Sequence, residues 1–146
     1  MNKEDVILIA ALIASLTSVV TLGLNTRLAI MREKRMLLWE KELERLHHLE
    51  EISGMAKEIA LCHADPEVLQ KEFPPLYDEL RQSAGRFGRY PQLANSIRDL
   101  NQASSALVSD KINKSITGQG GWAKKVTEAH TALLAECDVI TKREKT

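Results

Sequence analysis

The sequence predicts an all-α protein: a single N-terminal transmembrane helix that continues into a small antiparallel helical bundle. Three observations carry this. Val6 to Leu24 contains neither a charge nor a proline and is about long enough as a helix to cross a hydrocarbon core. Apolar residues then recur at threes and fours through the rest of the chain, the period of an amphipathic helix. Nowhere does an alternating, β-branched run bounded by turn residues suggest a strand.

The span comes first. In water its side chains would be exposed all round, whereas in lipid its internally bonded backbone is the stable form. A cleaved signal peptide would need a basic start, a shorter apolar core and a small-x-small cut site. Met1-Asn2-Lys3-Glu4-Asp5 is not basic, and the run leads into Asn25-Thr26-Arg27 without such a site. The expectation is a retained anchor over residues 1–26. Ala11, Ala14, Ser18, Thr21 and Asn25 follow one another at spacings of three and four. They form one small and polar seam on which two anchors could pack, so a homo-oligomer is expected.

A basic juxtamembrane segment follows at 27–35. Arg27, Arg32, Lys34 and Arg35 against Glu33 give +3, while Lys3 against Glu4 and Asp5 gives −1. Basic residues beside a span stay on the cytoplasmic side. The expectation is therefore a single pass of the inner, cytoplasmic membrane, N-terminus outside and body inside. The same four cations would lie against lipid headgroups of the bilayer, each adding about 1 kcal/mol of attraction.

Residues 36–146 then form the cytoplasmic bundle. Their net charge is −2, so the body is a poor general nucleic-acid binder. Trp39, Leu43, Leu46, Leu49, Ile52, Ala56, Ile59 and Cys62 line one broad face, which predicts one helix from the membrane to about His63. Gly23 and Gly54 are its weak points. Leu37, Leu38 and Trp39 exceed what one stripe needs and suggest a contact with a partner or with headgroups. Asp65-Pro66-Glu67 reads as a cap, a first-turn proline and a first-turn acid. That second helix is expected to stop before Pro74-Pro75. Pro75 opens the next one, with Leu76, Leu80 and Phe87 inward and with Asp78 and Glu79 near its positive end. Gly85 and Gly88 close it. Pro91 starts a helix with Leu93, Ile97, Leu100, Leu107 and Val108 inward, fading near Ser115 to Gly118. Gly118 to Gly121 reads as a flexible linker. Trp122 opens a last helix with Val126, Ala129, Leu133, Cys137 and Ile140 at bundle spacing, and Lys142-Arg143-Glu144-Lys145 ends it with cations at its negative pole.

Candidate chemistry is sparse. Cys62, His63, His130 and Cys137 would make a zinc-like set if their helices met, but their spacing matches no ordinary clip. Both cysteines read instead as reduced, small buried apolar residues. No metal and no cofactor is expected. His47 and His48 point about 100° apart on a helix and read as surface residues. The adjacent acids Glu50-Glu51 and Asp78-Glu79 imply no converging acid–base pair, so no catalytic residue is assigned. Gly85-Arg86-Phe87-Gly88-Arg89-Tyr90 interleaves guanidinium with aromatic rings; Arg86, Arg89 and Tyr90 are the candidates for an anionic ligand, with Arg81 and Arg98 adding charge from neighbouring turns. The functional expectation is a non-enzymatic, membrane-tethered helical interaction module that self-associates and binds a membrane or cytoplasmic protein. One alternative is an oligomeric membrane effector whose soluble bundle senses a ligand or partner. Another is a spanin-like envelope tether with a periplasmic body.

Overall fold

The computed structural model describes residues 2–143, which form four helices and, among the described residues, no strand. They are α1 (Lys3–Cys62), α2 (Pro66–Arg86), α3 (Pro91–Ile112) and α4 (Gln119–Arg143). The chain divides into two compact units, Met1–Glu42 and Leu43–Thr146. Of the expected C-terminal cations and acid, Glu144 and Lys145 lie outside the described residues.

The first unit is helix alone. Every described residue from Asn2 to Leu38 is exposed within it, because a lone helix has nothing to bury its apolar side chains against. The helix α1 is long and apolar enough to cross a membrane, and none of its apolar stretch is buried. Gly23 lies inside this helix, with nothing within 4 Å of a Cβ placed there.

The second unit is a four-helix bundle made of residues 43–62 of α1 with α2, α3 and α4. Three short connections, at residues 63–65, 87–90 and 113–118, force neighbouring helices to run antiparallel. Packing joins α2 to α3 and α3 to α4. His48 Nε2 meets Glu79 Oε1 at 2.6 Å and ties α1 to α2. The ammonium of Lys111 donates to the carbonyls of Ala60, Leu61 and His63 at 2.6, 3.1 and 2.8 Å. It therefore caps the end of α1, where four carbonyls lack helical partners and the helix dipole is negative. The core holds Leu46, Leu49 and Ile52 from α1, Leu80 from α2, Ile97 and Leu100 from α3, and Val126 and Leu133 from α4, none more than 2% exposed.

Three local expectations are corrected. The second helix does not stop at Pro74-Pro75; α2 runs through both. Each interior proline costs about 3 kcal/mol, yet Leu69, Phe73, Leu76, Leu80 and Ala84 all lie buried on one continuous face. Breaking the helix would withdraw half of that face from the core. Glu79 is accordingly mid-helix, against His48, and not at a helix start. Second, Gly120 and Gly121 belong to the first turn of α4, which begins at Gln119. Trp122 N–H donates to the Gly118 carbonyl at 3.1 Å, and Gln119 Nε2 to the Ser115 carbonyl at 2.7 Å. A Cβ at Gly118 would come within 2.7 Å of Asp110 Oδ2 and 3.3 Å of the Trp122 indole, so a side chain there requires the Asp110 carboxylate to turn aside. Third, α3 ends at Ile112 instead of fading toward Gly118. Ser115 N–H bonds the Asp110 carbonyl and Lys114 N–H the Lys111 carbonyl, at 2.8 and 3.2 Å. This paired closure needs a left-handed residue after the cap, and Lys114 supplies it with φ 56°.

The remaining boundaries agree with expectation. Asp65 Oδ1 accepts from Glu67 N–H at 3.0 Å and Pro66 opens α2. Pro91 opens α3.

Candidate functional site

The expected seam, Ala11, Ala14, Ser18, Thr21 and Asn25, lies on the first unit, where all five residues are exposed. Ser18 Oγ donates to the Ala14 carbonyl and Thr21 Oγ1 to the Thr17 carbonyl, both at 2.8 Å. Both hydroxyl protons are thus used within the helix, and across an interface these groups act only as acceptors. Asn25 makes no such bond among the described residues and is the seam's available donor. Ala11 and Ala14 contribute small size alone. Downstream, Arg27, Arg32, Lys34 and Arg35 are exposed, as headgroup contacts require. Met36, Leu37 and Leu38 are also exposed, at 65%, 53% and 69%.

In the bundle, the expected arginine–aromatic loop is only partly assembled. Arg86 ends α2 and Phe87 caps it, with Phe87 N–H donating to the Ser83 carbonyl at 3.0 Å. Phe87 is 3% exposed, so its ring belongs to the core and offers no face for stacking a base. The Arg89 guanidinium carbon lies 4.8 Å from the centre of the Tyr90 ring. Arg89 and Tyr90 line a cleft of about 270 Å³ with Glu136, Val139, Ile140 and Arg143. Arg86 does not line it, and Glu136 brings an opposing charge. Two of the three residues expected to share an anion, Arg89 and Tyr90, thus line one cleft, and Arg86 is not among its lining residues.

The larger concavity is elsewhere. An open furrow of about 730 Å³ runs between the outer faces of α2 and α3, and Arg81, Gly85, Arg98, Asn101 and Ser105 are among its lining residues. A second depression of about 360 Å³ continues it past Ser105 and Ser109, which line both, to Pro74 and Ile112.

The cysteine–histidine set is also dispersed. Cys62 is exposed, contrary to the expectation that it is buried. Its place on the apolar spacing of α1 falls at the helix's last residue, where the bundle no longer covers that face. Cys137 is 0% exposed. Among the described residues, no three His, Cys, Asp or Glu side chains converge to hold a metal. Burial pushes the Cys137 thiol up to about 12, with smaller contributions from Glu50, Asp138 and Glu136. Burial, then the charge of Lys57, lowers the His130 imidazole from its ordinary value. Burial likewise lowers the Lys111 ammonium, against a smaller opposing effect of Cys62.

No family model, curated protein or solved structure matches this chain.

The two thiols offer a direct check of the fold. A maleimide at pH near 7 is expected to modify Cys62 rapidly and Cys137 only after denaturation, because a buried neutral thiol supplies no thiolate. The folded thiol keeps its proton to higher pH than the unfolded thiol does. The stability from burying it neutral is fully present below pH 9.0 and is lost as the pH rises from there through about 12. Mass spectrometry of labelled peptides across that range distinguishes the two sites. Equal labelling of both in the native chain would contradict the packing of α4.

The α2–α3 furrow was only half legible. Its arginines stand out in the sequence, but its depth comes from small residues. Ala84 and Gly85 on α2, with Ser105, Ala106 and Ser109 on α3, leave a trough where larger side chains would fill the gap. The small pair Ser105 and Ser109, one turn apart, was the available signal.

Proposed function

We propose that this chain is a non-enzymatic, membrane-tethered helical interaction module: a self-associating anchor in the inner membrane carrying a cytoplasmic bundle that binds a protein partner. One observation carries the reading. The eleven large apolar side chains from Val6 to Leu24 are each between 46% and 71% exposed. Covering such a side chain is worth about 1.5–3 kcal/mol, and within its own unit the chain supplies nothing to cover them. Lipid does so without any further protein structure. The +3 cluster after the span supports the inward orientation of the body. The seam Ala11, Ala14, Ser18, Thr21 and Asn25 supports self-association, with packing as the main term, since interhelical bonds in membranes average about 0.6 kcal/mol.

Cys62 is the natural reporter of sidedness, because it is exposed in the body. An impermeant maleimide is expected to label it in inverted membrane vesicles and to leave it unmodified in right-side-out ones. The reverse pattern would place the body outside and turn the module into an envelope tether. In the same membranes, Ala14→Leu with Ser18→Leu fills the seam and should reduce cross-linking between chains, whereas Leu12→Ala should not. Equal cross-linking in both variants would assign any assembly to the bundle.

A further inference from the structure

We propose that the furrow between α2 and α3 is the docking face of the bundle and that its occupant is an amphipathic helix of a partner protein, acidic at one end. This deepens the interaction reading above and rests on the bundle being a binding module; it is independent of the anchor and of its orientation.

Length argues for a helix. The two adjoining depressions together run from Leu69 to Gly85 on α2 and from Ile97 to Asn113 on α3, about 24 Å of helical rise on each. That matches about four and a half turns of a third helix and far exceeds a small metabolite. The floor suits close approach. Ala84, Gly85, Ser105, Ala106 and Ser109 carry little bulk, so a third backbone can settle between α2 and α3 at the usual interaxial distance of about 8–10 Å.

Charge fixes the occupant's chemistry and direction. Arg81 and Arg98 flank one end of the furrow, and no acidic residue lines either depression. Neither guanidinium has an acidic partner among the described residues; Arg98 Nη1 donates only to the Asn95 carboxamide, at 2.9 Å. The body as a whole is acidic, so an unopposed arginine pair is a local exception to its composition. The other end offers Pro74 and Ile112 and carries no charge at all. A helix with glutamates or aspartates at one end and an apolar stripe at the other is complementary to both.

The floor shows a further mark of an incomplete contact. Asn101, only 7% exposed, donates from Nδ2 to the Tyr77 carbonyl at 3.3 Å, while its Oδ1 has no hydrogen-bond partner. A buried acceptor without a donor is costly, and a turn of the Asn101 side chain toward the furrow would bring it to a serine, threonine or glutamine on the docked helix.

The test is a selection from a display library of 18-residue helical peptides against the full chain in nanodiscs of zwitterionic lipid, with empty nanodiscs as the subtracted control. Enriched peptides are expected to carry acids clustered at one end and an apolar stripe elsewhere. Affinity for a chain bearing Arg81→Glu and Arg98→Glu should fall at least tenfold, and replacing the peptide's acids with lysines should restore it. Ser105→Trp, which fills the trough, should abolish binding of both peptide types while Cys137 stays protected from maleimide. No enrichment, enrichment without acids, or binding indifferent to the charge reversal or to Ser105→Trp would overturn the proposal. A photo-cross-linker at Gln102, which also lines the furrow, that joins only a second copy of this chain would overturn it in favour of self-assembly through the furrow. Failure of the chain to enter membranes, with peptide selection intact, would instead count against the tether and leave the furrow standing.

Discussion

Leu133→Asp is expected to unfold the Leu43–Thr146 unit. Leu133 is 0% exposed, at the centre of the buried face of α4. Losing its side-chain packing costs about 2–5 kcal/mol, and an unpaired carboxylate in that place adds several more, or must take up a proton to stay. A small domain holds only about 5–15 kcal/mol in total. The neighbouring Leu134 is 38% exposed, so Leu134→Asp should change stability by no more than about 0.5 kcal/mol. Maleimide modification of Cys137 in the full chain reads the outcome directly, because that thiol is accessible only when α4 has left the core. Protection of Cys137 in Leu133→Asp equal to that of the parent would show that α4 does not pack as described.

The second large effect is expected at the anchor. Leu12→Lys with Leu16→Lys places two ammonium groups one turn apart near the middle of the span and off the small-residue seam. Each costs about 2.5–3.5 kcal/mol at a bilayer centre on insertion scales. Together they approach about 6 kcal/mol, a factor of ~10⁴ in partitioning. The variant should leave carbonate-washed membranes for the soluble or aggregated fraction, while Leu12→Phe with Leu16→Phe stays. Protection of Cys137 should be the same in both, since the bundle core draws no residue from the span. Retention of the lysine variant in washed membranes would overturn the anchor reading.

Much of the fold follows from the order of residues alone. Period and length set the helices: Leu93, Ile97, Leu100 and Leu107 lie inward because α3 repeats every 3.6 residues, and Val126, Leu133, Cys137 and Ile140 do so for α4. The caps at Asp65-Pro66 and the start at Pro91 are equally local, since each depends on groups within one turn. The charge-free run from Val6 to Leu24 is local in the same sense. Tertiary structure decided the rest. Pro74-Pro75 reads as a break because local energy disfavours a helix there; burial of Leu69, Phe73, Leu76 and Leu80 along one face outweighs it. Cys62 follows the apolar spacing yet is exposed, because spacing gives the direction of a side chain and not whether another helix lies opposite. Lys111 caps α1 from about 50 residues away, a pairing no local rule contains. The furrow is the clearest case. Its arginines, Arg81 and Arg98, belong to different helices, and its depth is the absence of side-chain volume at Gly85 and Ser105 on facing walls. A sequence specifies which side chains are small, but a concavity exists only where two helices bring those small positions side by side.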